Sequence, residues 1–342
     1  MKKISLILMI SCGYFLLFSL GGCSNQQEPT NPAALTADVY FPILNNTKYI
    51  YQGEGNEYAS YDVYNDYTSE DQVQQRISNG GTVMAKVITV NNGALTQTFS
   101  RGEVYHRENY LDKTGDNEVL LAEPIAPGTT WTLEDGRIRT ITSISVPVST
   151  PAGDYDAIEV TTEADNDTTI QYYVKDVGLI KTVYQAGEAE ISSTLSSIEK
   201  DMPFPQTIRF YYPNVDENLV YYEDRVIDFH TNDVSKDIIA QAYKEVPNGG
   251  ETVFSANTAI NSLSLGDDGI VYLDLNQAFL SEMNAGAGYE EMLLKCIANT
   301  FGYYCNTDKV ALTIEGKPYS SGHLTFRAGE YLQTQVEDAV KL

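Results

Sequence analysis

Residues 38–200 alternate between apolar and polar side chains almost throughout, and this pattern limits the fold more than any other feature of the chain. Glycine-bearing turns such as Asn79-Gly80-Gly81 and Asp135-Gly136 separate the runs. Strands about ten residues apart with such turns favour an antiparallel sheet that curls into a barrel or packs as a sandwich. The predicted strands are Lys48–Gln52, Tyr58–Tyr67, Thr82–Val90, Leu95–Ser100, Val104–Tyr110, Thr129–Leu133, Ile138–Val146, Tyr155–Thr162, Ile170–Val174, Leu179–Tyr184 and Glu190–Ser196.

The start of the chain has the features of an export signal followed by a lipid-attachment site. Two lysines precede an apolar stretch at 4–20, and two glycines and a cysteine follow it. This ending is similar to the lipobox of bacterial lipoproteins. The resemblance implies cleavage after residue 22, and acyl chains such as palmitate on the new N-terminal residue. The lipobox residues are Leu20, Gly21 and Gly22, and the lipidated residue is Cys23.

An uncleaved membrane-spanning helix is the alternative, because ~17 apolar residues lie at the short edge of spanning length. The small residues before Cys23 and the polar run at 24–31 favour the lipoprotein. Two or three acyl chains on one cysteine would give stable anchoring. No second apolar stretch is long enough to span a membrane. We therefore expect everything beyond Cys23 to be extracytoplasmic and held at the cell membrane, with residues 23–37 as a flexible tether.

Two cysteines remain in the body of the chain, and they could form a disulfide in an oxidising compartment. If one helix ran through Cys296 and Cys305, nine residues at 1.5 Å each would hold them ~13 Å apart, too far to bond. A disulfide therefore requires the chain to double back after Gly302. Two buried thiols are the expectation otherwise.

The charge balance is strongly acidic. The formal net charge is −25, and loss of Lys2 and Lys3 with the signal leaves 20 basic against 47 acidic residues, or −27. Such a surface repels phosphate backbones, so we expect no nucleic-acid partner. It also keeps an exported protein soluble. The length of 342 residues is typical of two domains.

Tyrosine is unusually frequent, with 25 copies against one tryptophan. Many lie in strand-like runs such as Tyr172-Tyr173 and Tyr211-Tyr212. Adjacent strand residues face opposite sides of a sheet, so we expect one ring of each pair to pack and the other to meet water. Most of these tyrosines fit half-buried strand positions. The alternative is an aromatic platform for sugar or peptidoglycan.

After a proline-rich boundary at 202–205, the pattern changes to a β-β-α-β-β-α-β order. Both helices have apolar residues three and four apart along one stripe. Their order with the strands indicates an α+β domain in which two helices cover one face of a small sheet. The predicted elements are Thr207–Tyr212, Leu219–Phe229, helix Ser235–Val246, Ser262–Leu265, Ile270–Leu273, helix Tyr289–Tyr303 and Lys309–Ile314.

This order resembles the sporulation and spore-germination domain GerMN over about residues 205–332. The matching segments are IRFYYP at 208–213, GIVYLDLNQAF at 269–279, IANTF at 297–301 and VALTIEGKP at 310–318. The chain departs from the family pattern after the first helix, where Pro247-Asn248-Gly249-Gly250 replaces a Gly-Pro turn, and it has one copy of the domain. The predicted organisation is a signal peptide at 1–22, a tether at 23–37, a β-rich domain at 38–200, a GerMN-like domain at 205–332 and a tail at 333–342.

The resemblance implies a non-catalytic module that packs against neighbouring proteins, and its motif residues have structural interpretations. Asp274 can cap the following turn or helix. Asn299 and Thr300 can satisfy free carbonyls near a helix end. Gly316 can supply positive φ in a turn, with Lys317 as a solvated charge. Pro213 closes the first strand.

Nothing in the sequence singles out an active site. Ser320-Ser321-Gly322-His323 brings hydroxyls near an imidazole but lacks the strand-turn-helix setting of a nucleophile elbow, so a turn is expected. Glycoside hydrolysis needs two carboxylates at a fixed separation, and no pair stands out among 47 acids. We expect no catalytic residues, no metal and no cofactor.

Three functional hypotheses remain. The first is a lipid-anchored envelope protein that assembles with other envelope proteins through residues 205–332, linked to sporulation or spore germination. The second is a module that binds peptidoglycan or another cell-wall glycan through exposed tyrosines. The third is an envelope hydrolase.

Overall fold

The first half of the protein is antiparallel β-structure, as predicted. The computed structural model describes residues 35–91 and 93–342; the predicted signal peptide, the lipobox, Cys23 and most of the tether lie outside this range. A 3₁₀ turn at Ala37–Tyr40 precedes twelve strands. They are β1 Lys48–Glu54, β2 Tyr61–Thr68, β3 Gln72–Ser78, β4 Val83–Asn91, β5 Ala94–Arg101, β6 Glu118–Ala122, β7 Thr130–Thr132, β8 Ile138–Thr150, β9 Gly153–Glu163, β10 Thr168–Val174, β11 Gly178–Ala186 and β12 Ala189–Glu199.

These strands form one sheet in the order β6-β5-β4-β3-β2-β1-β12-β11-β10-β9-β8-β7, with β1 pairing antiparallel to β12. The two edge strands, β6 and β7, meet along a seam closed by side chains. The Trp131 indole donates to the Val119 carbonyl at 3.0 Å, and Arg139 donates to the same oxygen at 2.6 Å and to Glu118 at 2.8 Å. The sheet is therefore a nearly closed barrel.

Inward-facing side chains from opposite walls fill much of the barrel. Leu95, Ile141 and Leu195 are fully buried there, since alternate residues of each strand point to the same side. The 3₁₀ turn covers one end, where Ala37 and Tyr40 join this core. The segment before β1 is thus part of the packed structure.

The segment Val104–Tyr110 is not a strand, contrary to the prediction, and β3 was not predicted. Both errors have one cause. The outward side chains of β3, Gln74 and Arg76, donate to backbone carbonyls of this segment, and the Tyr110 N–H donates to Gln74. The segment lies against the barrel wall and satisfies its backbone through these side chains rather than through a ladder. Polar residues are buried on the outward side of β3, so this strand does not show the usual alternation of apolar and polar side chains.

The second half contains three helices and eight further strands, in the predicted β-β-α-β-β-α-β order with short additions. The helices are α1 Ser235–Tyr243, α2 Ala278–Ser281 and α3 Ala287–Cys305. The strands are β13 Phe204–Asn214, β14 Leu219–Phe229, β15 Ile260–Leu265, β16 Val271–Leu275, β17 Lys309–Ile314, β18 Lys317–Pro318, β19 Leu332–Gln333 and β20 Val340–Lys341. None of the described helices has the length and apolarity required to cross a bilayer.

Two sheets share one core in this half. β13 and β14 pair as a hairpin with β20 beside them, whereas β15, β16, β17 and β18 form a small mixed sheet in which β16 and β17 are parallel. Helix α3 contacts both sheets, and Ile297 and Phe301 are fully buried. The fold class is therefore α+β behind a β-rich barrel, as predicted.

Tyr211 and Tyr212 are both fully buried, so the expectation that one ring of this pair meets water was wrong. The Tyr212 ring lies edge-on to Tyr243 of α1, and the Tyr211 ring packs against Tyr222 of β14. Both faces of β13 are covered, so neither position is exposed. For Tyr172-Tyr173 the expectation is closer to the structure, since Tyr173 is buried and Tyr172 only partly so.

The last ten residues are docked against the second half. β19 pairs with β17, and β20 pairs with β14 in parallel. The chain ends with the Leu342 N–H donating to the Tyr222 carbonyl at 2.9 Å. The tail therefore ties the two sheets together.

Candidate functional site

The predicted motif residues lie within the second half, and Asp274 connects three of its strands. Its Oδ1 accepts hydrogen bonds from the Thr313 hydroxyl at 2.5 Å and the Gly316 N–H at 2.7 Å, and its Oδ2 accepts one from Asn261 at 2.8 Å. Burial opposes ionisation, but these three donors lower the pKa of Asp274. Asp274 does not cap α2, which has no side-chain cap, so that expectation was wrong.

Thr300 binds the free edge of β13 rather than a carbonyl at the end of α3. Its hydroxyl accepts the Tyr211 N–H at 3.0 Å and donates to the Tyr243 hydroxyl, which in turn donates to the Tyr211 carbonyl at 2.7 Å. Both backbone groups of the buried residue Tyr211 are thus satisfied by side chains of α1 and α3. An unpaired buried backbone group would be costly, so this closure stabilises the edge.

Asn299 holds the C-terminal tail. Its amide donates to the Gln335 carbonyl at 2.9 Å and accepts the Gln335 N–H at 2.7 Å, which imitates a strand pairing. The expectation that Asn299 satisfies helix carbonyls was therefore wrong. Pro213 does not close β13, which continues to Asn214, so that expectation was wrong. Pro213 lies on the same free edge of β13 as Tyr211, where its missing N–H removes no backbone hydrogen bond to another strand, and its carbonyl accepts from the Glu251 N–H.

The motif at 315–318 is a two-residue hairpin between β17 and β18. Glu315 and Gly316 have φ of 49° and 73°, and Ile314 pairs directly with Lys317. Positive φ at both central positions is typical of a type I′ turn, which glycine tolerates best. Lys317 is exposed to solvent.

The small mixed sheet has one buried and one solvent-facing side. Val271, Leu273 and Leu275 of β16 point into the core, whereas the Tyr272 side chain is 45% exposed. β17 alternates in the same register. We call the solvent-facing side the outer face; it comprises Ser264, Tyr272, Asp274, Lys309, Ala311 and Thr313.

Ser321 and His323 form a turn. The Ser321 hydroxyl donates to Glu290 at 2.5 Å and accepts the His323 and Leu324 N–H groups, each at 3.0 Å. Glu290 is buried and also accepts from the Tyr319 hydroxyl. These bonds close the loop after β18 and place the Ser321 hydroxyl against a carboxylate rather than an imidazole.

Cys296 and Cys305 are both buried free thiols of α3. The helix continues through both, so the two residues are about 13 Å apart along its axis and cannot bond. The disulfide that the sequence left open is therefore not formed. Burial raises the pKa of both thiols, so they stay protonated and unreactive while the protein is folded.

A buried ionic cluster that the sequence did not predict joins the barrel to the second half. The Asp66 carboxylate accepts from Arg76 at 2.8 Å and from Arg107 at 3.3 Å, with all three side chains almost completely buried. The Arg107 guanidinium also donates to the carbonyls of His230 and Asp233 in the loop before α1. We call these three charged residues the junction cluster. In the sequence, the only indication of this cluster was that its charged residues lie in segments with a strand-like pattern.

The barrel also encloses a cavity of about 360 Å³ that the sequence did not predict. Tyrosines from β1, β2 and β10 line it, and Lys86 of β4 reaches it. The sequence feature that could have indicated it is Lys86, which alternates with the apolar residues Met84 and Ile88 on the same side of β4.

Part of the second half matches a known family. Residues 209–320, about a third of the chain, match the Germane family, described as sporulation and spore germination. The predicted GerMN resemblance is therefore confirmed over residues 209–320. A comparison with curated proteins found no match.

Several solved structures show low similarity to parts of the chain. The first GerMN domain of the sporulation protein GerM from Bacillus subtilis is 17% identical, with a TM-score of 0.29, over 37% of this chain and 96% of that one. A Bacteroides fragilis protein assigned as exported, with a YmcC-like fold, is 12% identical, with a TM-score of 0.31, over 47% and 98%. A Clostridium perfringens protein assigned as a lipoprotein is 16% identical, with a TM-score of 0.23, over 38% and 93%.

Proposed function

We propose that this chain is a non-catalytic, lipid-anchored envelope protein that acts in protein–protein assembly, linked to sporulation or spore germination. The match of residues 209–320 to the sporulation and spore germination family is the observation that carries this proposal. The motif side chains of that segment support it, because Asp274, Asn299 and Thr300 are all occupied in holding backbone together. They build a scaffold, and acyl chains on Cys23 would keep it at the membrane.

The outer face is the docking surface in this proposal, with an envelope protein as its partner. The face is built on paired strands rather than loops, which suits a rigid interface. Tyr272 stands at its centre between Ser264 and Ala311, and its hydroxyl is held by Asp268 at 2.7 Å. A large, ordered, exposed aromatic ring is the residue type enriched at the energetic centres of interfaces.

Replacing Tyr272 with arginine in the host is the test of this function. We expect at least a tenfold loss of envelope proteins cross-linked to the lipoprotein, because a new cation would occupy the centre of the interface. The same cells should show fewer heat-resistant spores, slower germination or a weakened envelope. The matched control is Tyr184→Arg on barrel strand β11, where the tyrosine side chain is also exposed. Unchanged cross-linking and phenotype in Tyr272→Arg would contradict the proposal.

Glycan binding remains the second candidate, because an open groove of about 870 Å³ lies between the loop after β5 and the end of α3. Tyr105 and Tyr303 line it, and Tyr303 is 50% exposed. Glu103 and Asp308 add carboxylates that could bind sugar hydroxyls. Sedimentation with purified cell wall tests this candidate. Tyr303→Ala should abolish binding while Tyr184→Ala should not, and failure of the unmodified protein to sediment would end it.

A further inference from the structure

The barrel cavity has the size and lining of a small-molecule site. Its volume of about 360 Å³ falls within the ~300–1,000 Å³ that is usual for ligand pockets. Apolar and aromatic side chains predominate in its wall. Those that define it best are Tyr49, Tyr51, Tyr61, Tyr173, Met84 and Leu120.

Strand alternation explains how these side chains converge. Tyr51 of β1 and Tyr61 of β2 are directly paired, and their rings stack with centroids 4.5 Å apart at 19°. They form a flat aromatic wall. Burial raises the pKa of Tyr49 and Tyr173 to about 12, so these hydroxyls stay neutral near pH 7. The tyrosines therefore give the cavity an apolar wall without adding charge.

Lys86 is the cation of this cavity, and it makes no hydrogen bond or ion pair with any residue in 35–91 or 93–342. The nearest carboxylates are already engaged, since Glu118 accepts from Arg139 at 2.8 Å and Asp116 accepts from Gln97 at 2.8 Å. A lysine drawn into an apolar wall without a counter-ion is unfavourable. Burial lowers the pKa of Lys86, although Glu118 and Asp116 oppose this effect.

Gln171 supplies a second unpartnered group in the same wall. Its Oε1 is buried and accepts no hydrogen bond in the described structure. Buried polar atoms are nearly always paired, so an orphan acceptor that lines a cavity marks the place of a missing donor. Two polar groups of the cavity wall, the Lys86 ammonium and the Gln171 Oε1, therefore have no hydrogen-bond partner among the described residues.

We propose that the barrel binds an amphiphile with one apolar chain and an anionic head, in which Lys86 is the counter-ion and Gln171 accepts a hydrogen bond from the head. The apolar chain lies against the tyrosine wall. The head carries one carboxylate or phosphate together with an N–H or O–H donor. This site is separate from the outer face and does not depend on the assembly function.

Isothermal titration of the mature chain tests this site, using Cys23→Ser protein so that no acyl chain is attached. The probes are N-dodecanoylglycine for a carboxylate head, dodecyl phosphate for a phosphate head, neutral dodecanol and cationic dodecyltrimethylammonium. We expect one anion to bind with a stoichiometry of one, at least tenfold more tightly than dodecanol. Tighter binding of the glycine conjugate or of the phosphate identifies the head.

Lys86→Met should weaken anion binding at least tenfold and bring it level with dodecanol, because methionine keeps the apolar stem and removes the charge. The matched control is Lys113→Met, an exposed lysine outside the barrel, with no change expected. Met84→Trp should fill the cavity and abolish binding of every probe. If Lys86→Met does not fold, Gln171→Leu should weaken both anions relative to dodecanol. The proposal is overturned if neither anion saturates the unmodified protein, or if the cation binds as tightly.

Discussion

Replacing Arg107 with methionine should lower the free energy of unfolding by about 3–5 kcal/mol, because several hydrogen bonds from a buried cation are lost at once while Asp66 stays paired with Arg76. The Arg107 side chain is completely buried, and its guanidinium lies 4.5 Å from the Tyr67 ring. Its removal takes one donor each from the carbonyls of Asp66, His230 and Asp233. The first two keep a backbone N–H donor, whereas the Asp233 carbonyl keeps none among the described residues. Methionine fills most of the volume of the Arg107 side chain, so the decrease in unfolding free energy comes from lost polar contacts more than from a cavity.

Chemical denaturation followed by circular dichroism measures this effect. The unmodified protein should unfold in one transition, because the junction cluster couples the barrel to the loop before α1. In Arg107→Met the two halves should begin to unfold separately. The control is Arg137→Met, whose pair with Asp135 is exposed, with an expected change of about 0–1 kcal/mol. Equal losses in both variants would show that the cluster does not hold the halves together.

Replacing Cys23 with alanine should move nearly all of the protein from the membrane fraction to the soluble fraction. Burial of an acyl chain contributes ~0.8 kcal/mol per CH₂, so two or three chains anchor stably and their loss removes the attachment. Fractionation of cells with immunoblotting measures the distribution. Mass spectrometry of the N-terminal peptide measures acylation, which should be present only when Cys23 is present.

Cys12→Ala is the matched control, since this cysteine lies in the predicted signal peptide and should leave the distribution unchanged. An uncleaved leader would give the opposite pattern: Cys23→Ala would stay in the membrane, and its N-terminal peptide would begin at residue 1. That result would reject the lipoprotein interpretation, but it would not affect the proposals for the outer face and the cavity.

Local patterns in the sequence predicted most of the fold. Strands β14 and β17 begin and end where predicted, because alternating residues meet a core on one face only. The predicted helix α3 was too short by two residues at each end, because the stripe of apolar residues does not extend into its terminal turns. Strand β6 escaped prediction because its run is short and mostly half-buried. These errors occur where a neighbour distant in sequence decides burial.

The sites were less predictable than the fold. Asp274 and Thr300 were singled out, but their partners Gly316 and Tyr211 lie 42 and 89 residues away, so local capping was the wrong interpretation. The cavity depends on barrel closure, which brings Lys86 and Gln171 to one space. The junction cluster depends on the packing of Arg107 between the barrel wall and the loop before α1. The periodicity of a single segment does not indicate which distant residues the fold brings into contact.

The seam between β6 and β7 differs from the rest of the barrel wall, because the two edge strands are not paired with each other. Trp131 of β7 and Arg139 of the adjacent β8 bond to β6 there. These three side-chain hydrogen bonds can break without disturbing the backbone hydrogen bonds between the other strands. We therefore expect the barrel to open first along this line, and the amide hydrogens of the two edge strands to exchange faster than those of strands paired on both sides.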